Sequence, residues 1–161
     1  MSIPRIAVVM GSSSDYATVE HTIHVLDEFN VDYEKQVLSA HRTPEDMVAF
    51  AKAAEARGLQ VIIAAAGGAA HLPGMIASLT ELPVIGIPIK TSALDGLDSL
   101  LSIAQMPAGV PVLTVAIGTA GAKNAALAAL KILALHDDAL RQQLVEYRLA
   151  LANQARTSVL P

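Results

Sequence analysis

The chain has 161 residues, a net charge of −4 at pH 7 and no cysteine; that length suits one domain with a single good core, and the missing thiols exclude disulfides, thiolate catalysis and Cys-based zinc sites. No basic run offers a nucleic-acid face, and no apolar run approaches the roughly 20 residues of a membrane helix. Apolar residues make up 53% and mean hydropathy is +0.47, yet aromatics are only 3%; a monomer of this size cannot hide so much apolar surface, so an oligomer with extensive buried interfaces is expected.

The N-terminal "MSIPRIAVVMG" has too short an apolar segment for a signal peptide, with Arg5 just before it. The expected location is the cytoplasm. The first predicted strand is Ile6–Met10, followed by Gly11-Ser12-Ser13-Ser14-Asp15. Glycine allows a sharp turn, and serines leading into a helix N-terminus suit an anion such as phosphate. Asp15 would repel phosphate; it fits a helix cap or a sugar-hydroxyl acceptor, and Ser14 also fits a simple cap. The helix that follows carries the apolar stripe Val19, Ile23, Leu26 and Phe29. His21 and His24 on it lack a third metal ligand and read as a solvated face.

The second predicted strand, Tyr33–Leu38, stops at Ser39, and "SAHRTP" follows. His41 is a natural proton shuttle, and Arg42 offers a bidentate fork for phosphate or carboxylate; the pair reads equally as exposed residues of a turn. Pro44 suits the first turn of a helix with stripe Met47, Phe50, Ala51 and Ala54. The third strand, Val61–Ala65, runs into "AGGAAHLPGM". There Gly67 and Gly68 allow close backbone approach, Ala69 and Ala70 line a small apolar space, and His71 heads a helix with Pro73 in its first turn. His71 reads equally as a cap or as a ligand-facing group.

Strands Val84–Ile87 and Val112–Ile117 flank a helix at Leu97–Ala104. The helix Ala120–Leu135, nearly apolar all round, is expected to be buried on most sides. His136 reads as a turn residue. The last helix, about 137–156, has the stripe Leu140, Leu144, Tyr147 and Leu151, which suits its own domain or a neighbouring subunit. Residues 157–161 are expected to be a loose tail.

Strand–helix alternation with continuously apolar strands predicts an α/β fold. It is a three-layer, flavodoxin-like doubly wound parallel sheet of order 2-1-3-4-5 with an extra C-terminal helix, spanning 1–161 as one domain. In that order the ligand crevice lies at the carboxyl ends of strands 1 and 3, where the loops after strands 1, 2 and 3 meet. The chain has no P-loop, GxGxxG fingerprint or GxSxG elbow. From the residues alone the expectation is a phospho-sugar ligand and histidine acid–base chemistry without a cofactor.

The segments "VMGSSSD", "SAHRTP", "AGGAAHLPGM" and "SLLSIAQMPAGVPV" occur in order and closely resemble the signatures of the 5-(carboxyamino)imidazole ribonucleotide mutases of bacterial purine biosynthesis. That family is also known as the catalytic subunit of phosphoribosylaminoimidazole carboxylase. The resemblance runs from about Ile6 to about Ala150. It implies reversible conversion of 5-(carboxyamino)imidazole ribonucleotide to 5-amino-1-(5-phosphoribosyl)imidazole-4-carboxylate, an isomerase reaction without metal, biotin or ATP, in an octamer. It implies His41 as general acid/base. Substrate binding would fall to Ser12, Ser14, Asp15, Ser39, Arg42, Gly67, Gly68, Ala69, His71 and Leu72, with Ser12 and Arg42 at the phosphate and Asp15 at the ribose. Ser102–Pro107 would form a covering loop, over its own site or that of a neighbouring subunit. The "HRTP" form resembles the mutase class rather than carboxylases that take free carbon dioxide onto aminoimidazole ribonucleotide, the alternative on the same scaffold. A non-enzymatic nucleotide-binding module is a further alternative; the scarcity of aromatics argues against flavin. Three departures from the family pattern stand out: Tyr16 in place of tryptophan, Leu113 in place of glycine, and "IKTSALDGLD".

Overall fold

The computed structural model describes residues 4–159. Strand β1 (Ile6–Met10) is buried along its whole length. It pairs in parallel with β2 (Tyr33–Val37) on one side, Ile6 opposite Tyr33 through Met10 opposite Val37. On the other side it pairs with β3 (Val61–Gly67), Ile6 opposite Val61 through Met10 opposite Ala65. Strand β4 (Val84–Ile89) lies beyond β3, and β5 (Leu113–Thr114) forms the far edge, so the order is β2-β1-β3-β4-β5, all parallel. The predicted fold and strand order are those of the structure.

Helices cover both faces, which is why the inner strands tolerate no polar residue. On one face Ile6, Val8, Ile63 and Ile85 meet α1 (Tyr16–Glu28) and α5 (Thr119–Leu133). On the other, Ala7, Val9, Ile62 and Ala64 meet α2 (Pro44–Ala53), α3 (Leu72–Ala77) and α4 (Leu97–Ala104). The stripes Val19–Ile23–Leu26–Phe29 and Met47–Phe50–Ala51–Ala54 are all buried. Pro44 opens α2, with Glu45 and Asp46 in its first turn and Lys52 in its last, each charge matched to the helix dipole.

Both edges depart from the uniform apolar strand. Strand β2 carries Glu34, Lys35 and Gln36 and runs from half-buried to exposed; charge on an edge discourages pairing with another chain. The last strand is two residues long rather than the six of Val112–Ile117. The cause is in β4. Gly86 still accepts from the Val115 N–H at 3.1 Å, but Pro88, the next residue on that side, has no N–H to continue the ladder. Leu113 is 50% exposed on this edge, so a leucine in place of glycine there meets no clash within the chain.

Helix α5 is buried on one side, not on most sides. Ala122, Ala125, Ala126, Ala129, Leu130 and Leu133 face inward, while Lys123, Asn124 and Lys131 are exposed. Its start crowds the chain entering it: a Cβ on Gly121 would fall 1.6 Å from the Ala116 carbonyl oxygen. The small inner face lets α5 lie close to α1, where the Thr22 hydroxyl donates to the Ala122 carbonyl at 2.8 Å.

The final helix, α6 (Asp138–Thr157), is capped by Asp137, whose Oδ1 accepts from the Leu140 N–H at 3.0 Å while its Oδ2 accepts from the Arg5 guanidinium at 3.1 Å. These two bonds, the backbone one foremost, hold the Asp137 carboxyl below its ordinary range. Along the predicted stripe, Leu140 is buried, Leu144 and Tyr147 are half-buried with Tyr147 against Phe29, and Leu151 is 49% exposed. So α6 begins against α5 and the end of α1 in its own chain and runs off them. His136 ends a short 3-10 turn, Ala134–His136. Thr157 belongs to α6 rather than to a tail; Ser158 and Val159 are exposed, and Leu160 and Pro161 lie outside the described residues. No helix among the described residues is long and apolar enough to cross a membrane.

Candidate active site

The carboxyl ends of β1, β2 and β3 bring the three predicted loops together. In the first, Ser12 caps a 3-10 turn, Ser13–Asp15, that runs straight into α1. The Ser12 Oγ accepts from the Ser14 N–H at 3.3 Å and from the Ser14 hydroxyl at 2.8 Å, and the Asp15 carboxylate accepts from the Ser12 N–H at 3.1 Å. Asp15 precedes α1 but makes no side-chain cap bond to it; its carboxylate turns back over the loop. Asp15 is only 9% exposed. Burial raises its pKa above the ordinary value, against the lowering effects of the Ser12 and Ser14 hydrogen bonds and the Arg42 charge.

The second loop is tied to itself and to the first. The Thr43 N–H and hydroxyl both donate to the Ser39 carbonyl, at 3.0 and 3.1 Å. The Arg42 backbone N–H and Nε donate to the Ser39 Oγ at 3.2 and 3.1 Å, and the Arg42 guanidinium donates to the Gly11 carbonyl at 2.8 Å. Arg42 therefore spans from the end of β2 to the end of β1 with a fixed fork.

In the third loop Gly68 adopts a φ of +68°, which only glycine takes without strain. Its N–H donates to the Ser99 Oγ at 2.9 Å, and its carbonyl accepts from the Ser102 hydroxyl at 3.2 Å. Helix α4 thus holds the glycine turn from behind. The turn delivers His71, the N-cap residue of α3, opposite His41. His41 Nε2 and His71 Nδ1 lie 2.8 Å apart, with the rings perpendicular and their centroids 4.9 Å apart. At that distance one nitrogen donates and the other accepts, so each ring fixes the tautomer and orientation of the other. Both rings reach solvent.

These groups line one cleft of about 430 Å³. Of the predicted site residues, Ser12, Asp15, Ser39, His41, Arg42, Gly67, Ala69, His71 and Leu72 face it. Ser14 and Gly68 do not line it: Ser14 serves the Ser12 hydroxyl, and both polar backbone groups of Gly68 are turned to α4. Ile89, Lys90 and Thr91 line it without having been expected. The signal for them was available, because β4 neighbours β3 in the expected order and its carboxyl end therefore faces the same edge. The expected covering segment Ser102–Pro107 is not over the cleft in this chain. Ser102 is helical, and Met106 sits on Gly74, where a Cβ would fall 2.8 Å from its sulfur. A larger hollow of about 650 Å³ opens between the amino ends of β4 and β5, beside Lys52, Glu81 and Leu113. It holds no histidine and lies at the wrong edge of the sheet for an α/β ligand site. Among the described residues no group of three or more potential metal ligands of the His, Cys, Asp or Glu type occurs.

A parallel doubly wound sheet with a histidine pair, an anchored arginine and a helix N-terminus at its switch-point edge defines an α/β protein built to take a small anionic ligand. The model of the AIR carboxylase family matches residues 5–154. N5-carboxyaminoimidazole ribonucleotide mutase of Bacillus subtilis is 57% identical over 145 residues, 90% of each chain. The protein of the same name from Saccharolobus solfataricus is 54% identical over 158 residues, 98% of this chain and 99% of its own. Among solved structures, Treponema denticola PurE superposes with a TM-score of 0.83 at 27% identity, covering 97% of this chain and 99% of that one. The chain belongs to the AIR carboxylase family.

Proposed function

We propose that the chain is the mutase its relatives are named for, an isomerase of de novo purine biosynthesis. It converts 5-(carboxyamino)imidazole ribonucleotide reversibly to 5-amino-1-(5-phosphoribosyl)imidazole-4-carboxylate. The observation that carries the reading is the His41–His71 pair, 2.8 Å apart in a cleft that Gly67 and Ala69 also line. In this reading Ser12 and Arg42 hold the phosphate, beside the N-terminus of the turn leading into α1. Asp15, which lines the same cleft, accepts from the ribose hydroxyls.

The bond between the exocyclic nitrogen and the carboxyl carbon breaks, its electron pair stays on nitrogen, and carbon dioxide is released. His41 gives the proton that the nitrogen takes up. Ring carbon C4 then attacks the carbon dioxide, a C–C bond forms, and His41 removes the C4 proton, so the imidazole ends as it began. His71 holds the ring that does this. The small side chains of Ala66, Gly67 and Ala69 leave room for a neutral gas and offer water few partners.

The same reading places the enzyme in the cytoplasm as a homo-octamer, with α6 and the Ser102–Pro107 segment against neighbouring subunits. The half-exposed Leu97, Leu101, Leu149 and Leu151 support such assembly, and the mass of the native particle tests it. The activity is tested by incubating the protein with 5-(carboxyamino)imidazole ribonucleotide without ATP or bicarbonate. Formation of the 4-carboxylate is expected. A protein that leaves this substrate untouched, yet carboxylates aminoimidazole ribonucleotide when bicarbonate is added, would instead be a carboxylase using free carbon dioxide.

A further inference from the structure

The substrate proposed above carries negative charge at two ends, a phosphate and a carboxylate, with a ribose and a ring between them. Two strongly basic side chains, Arg42 and Lys90, line the cleft among the described residues. Arg42 is seated on the Gly11 carbonyl at the end of β1. Lys90 directly follows β4. In the order β1-β3-β4 two strand spacings separate those ends, roughly 10 Å at about 4.8 Å per spacing. Between those strand ends runs β3, whose last residue, Gly67, and following loop, with Ala69 and His71, also line the cleft. One basic group thus stands toward the β1 side of the cleft and one at its β4 side, with His71 of the acid–base pair on the loop after the strand between them.

Lys90 is held ready rather than spent. Its Nζ lies 3.2 Å from Asp95 Oδ1, but the two side chains are 68% and 84% exposed, and such ion pairs are readily exchanged. The backbone around it is fixed independently: Thr91 Oγ1 donates to the Asp98 carboxylate and accepts from the Gly96 N–H at 3.3 Å. The ammonium can therefore leave Asp95 without the loop moving.

We propose that Lys90 is the counter-ion of the substrate's carboxylate. It closes on the carboxyamino group before decarboxylation and on the 4-carboxylate afterwards, while Asp95 parks the ammonium when the site is empty. This rests on the mutase reading, and the ligands of that reaction separate the two claims. Aminoimidazole ribonucleotide has the phosphate and ring but no carboxylate.

The test is calorimetric binding of aminoimidazole ribonucleotide and of the 4-carboxylate to the native assembly and to its Lys90→Gln and Asp95→Asn variants. Lys90→Gln is expected to weaken the 4-carboxylate about 10-fold, the scale of one charge-assisted hydrogen bond, while binding of the decarboxylated ligand changes less than twofold. Asp95→Asn, which frees the ammonium, is expected to tighten the 4-carboxylate. Equal weakening of both ligands in Lys90→Gln, or weakening of the 4-carboxylate in Asp95→Asn, would show the pair to be a loop staple and overturn the proposal. A wild-type protein that binds neither ligand would overturn the mutase reading and this proposal with it. A wild-type protein that interconverts the substrates, with Lys90→Gln indifferent to both ligands, overturns the proposal alone.

Discussion

Ser99 is the side chain on which the cleft's third wall hangs, and Ser99→Ala measures this directly. Ser99 is fully buried; its hydroxyl donates to the Ile89 carbonyl at 2.7 Å and accepts from the Gly68 N–H at 2.9 Å. One oxygen therefore joins α4 to the end of β4 and to the glycine turn after β3. Removing it deletes two hydrogen bonds, each worth about 1 kcal/mol net, and strands two backbone groups whose desolvation costs about 1–3 kcal/mol apiece. Gly68 and Ile89 are half-buried, so water recovers part of that, and alanine is the better helix former. The expected loss is about 2 kcal/mol, read as a lower denaturant midpoint, or a fall of about 4–8 °C in Tm for a chain of this size. Ser102→Ala is the control. That hydroxyl donates to Asp98 within its own helix at 2.7 Å and to Gly68 at 3.2 Å, and it is half-buried; its loss should stay below about 1 kcal/mol. Ser99→Ala should also raise KM, because Gly67 and Lys90 flank the two groups it releases. A Ser99→Ala protein no less stable than Ser102→Ala would refute the idea that this hydroxyl holds the wall.

His41→Asn is expected to retain ligand binding by calorimetry while turnover falls about 100-fold or more, the usual cost of losing a general acid/base; near-normal turnover would remove His41 from the mechanism. Asp15→Asn joins stability to function. Burial raises the folded-state pKa of Asp15, so the folded protein favours the protonated form. That favourable contribution is complete below the unfolded value and is lost as pH rises through the folded one. At pH 7 the ionised carboxylate is therefore a cost. The amide variant should resist urea better than wild type at pH 7, with the advantage shrinking as the pH falls towards the ordinary aspartate range, and substrate KM should rise. An advantage that stays constant with pH would contradict the burial argument.

Much of the site was legible in local sequence because glycine, serine and proline punctuate it. Gly11 and the serines after β1, Ser39 to Thr43 after β2, and the double glycine at the end of β3 each mark where a strand must stop. The expected order then places the three stops side by side. What punctuation cannot reveal is which side chains meet across loops. His41 and His71 are thirty positions apart, and nothing in either segment indicates a 2.8 Å contact. Ser14 and Gly68 show the converse: both sit in the right loops, but their polar groups are taken up by Ser12 and by α4. The length of β5 failed for a related reason. Val112–Ile117 has the composition of a strand, but its partner β4 presents Pro88 at the next pairing position, and pairing depends on both chains.

By itself the sequence determined the period of each element, the apolar character of the inner strands and hence a covered parallel sheet. Those follow from local rules, since a strand buried on both faces must be apolar throughout and a parallel neighbour requires a crossover. Only the tertiary structure decided that the histidines pair, that Arg42 is anchored on Gly11, that Ser99 ties two walls together, and that Lys90 completes the cleft from β4. Each of these is a contact between segments distant along the chain, fixed by strand order and helix packing rather than by the residues on either side of it.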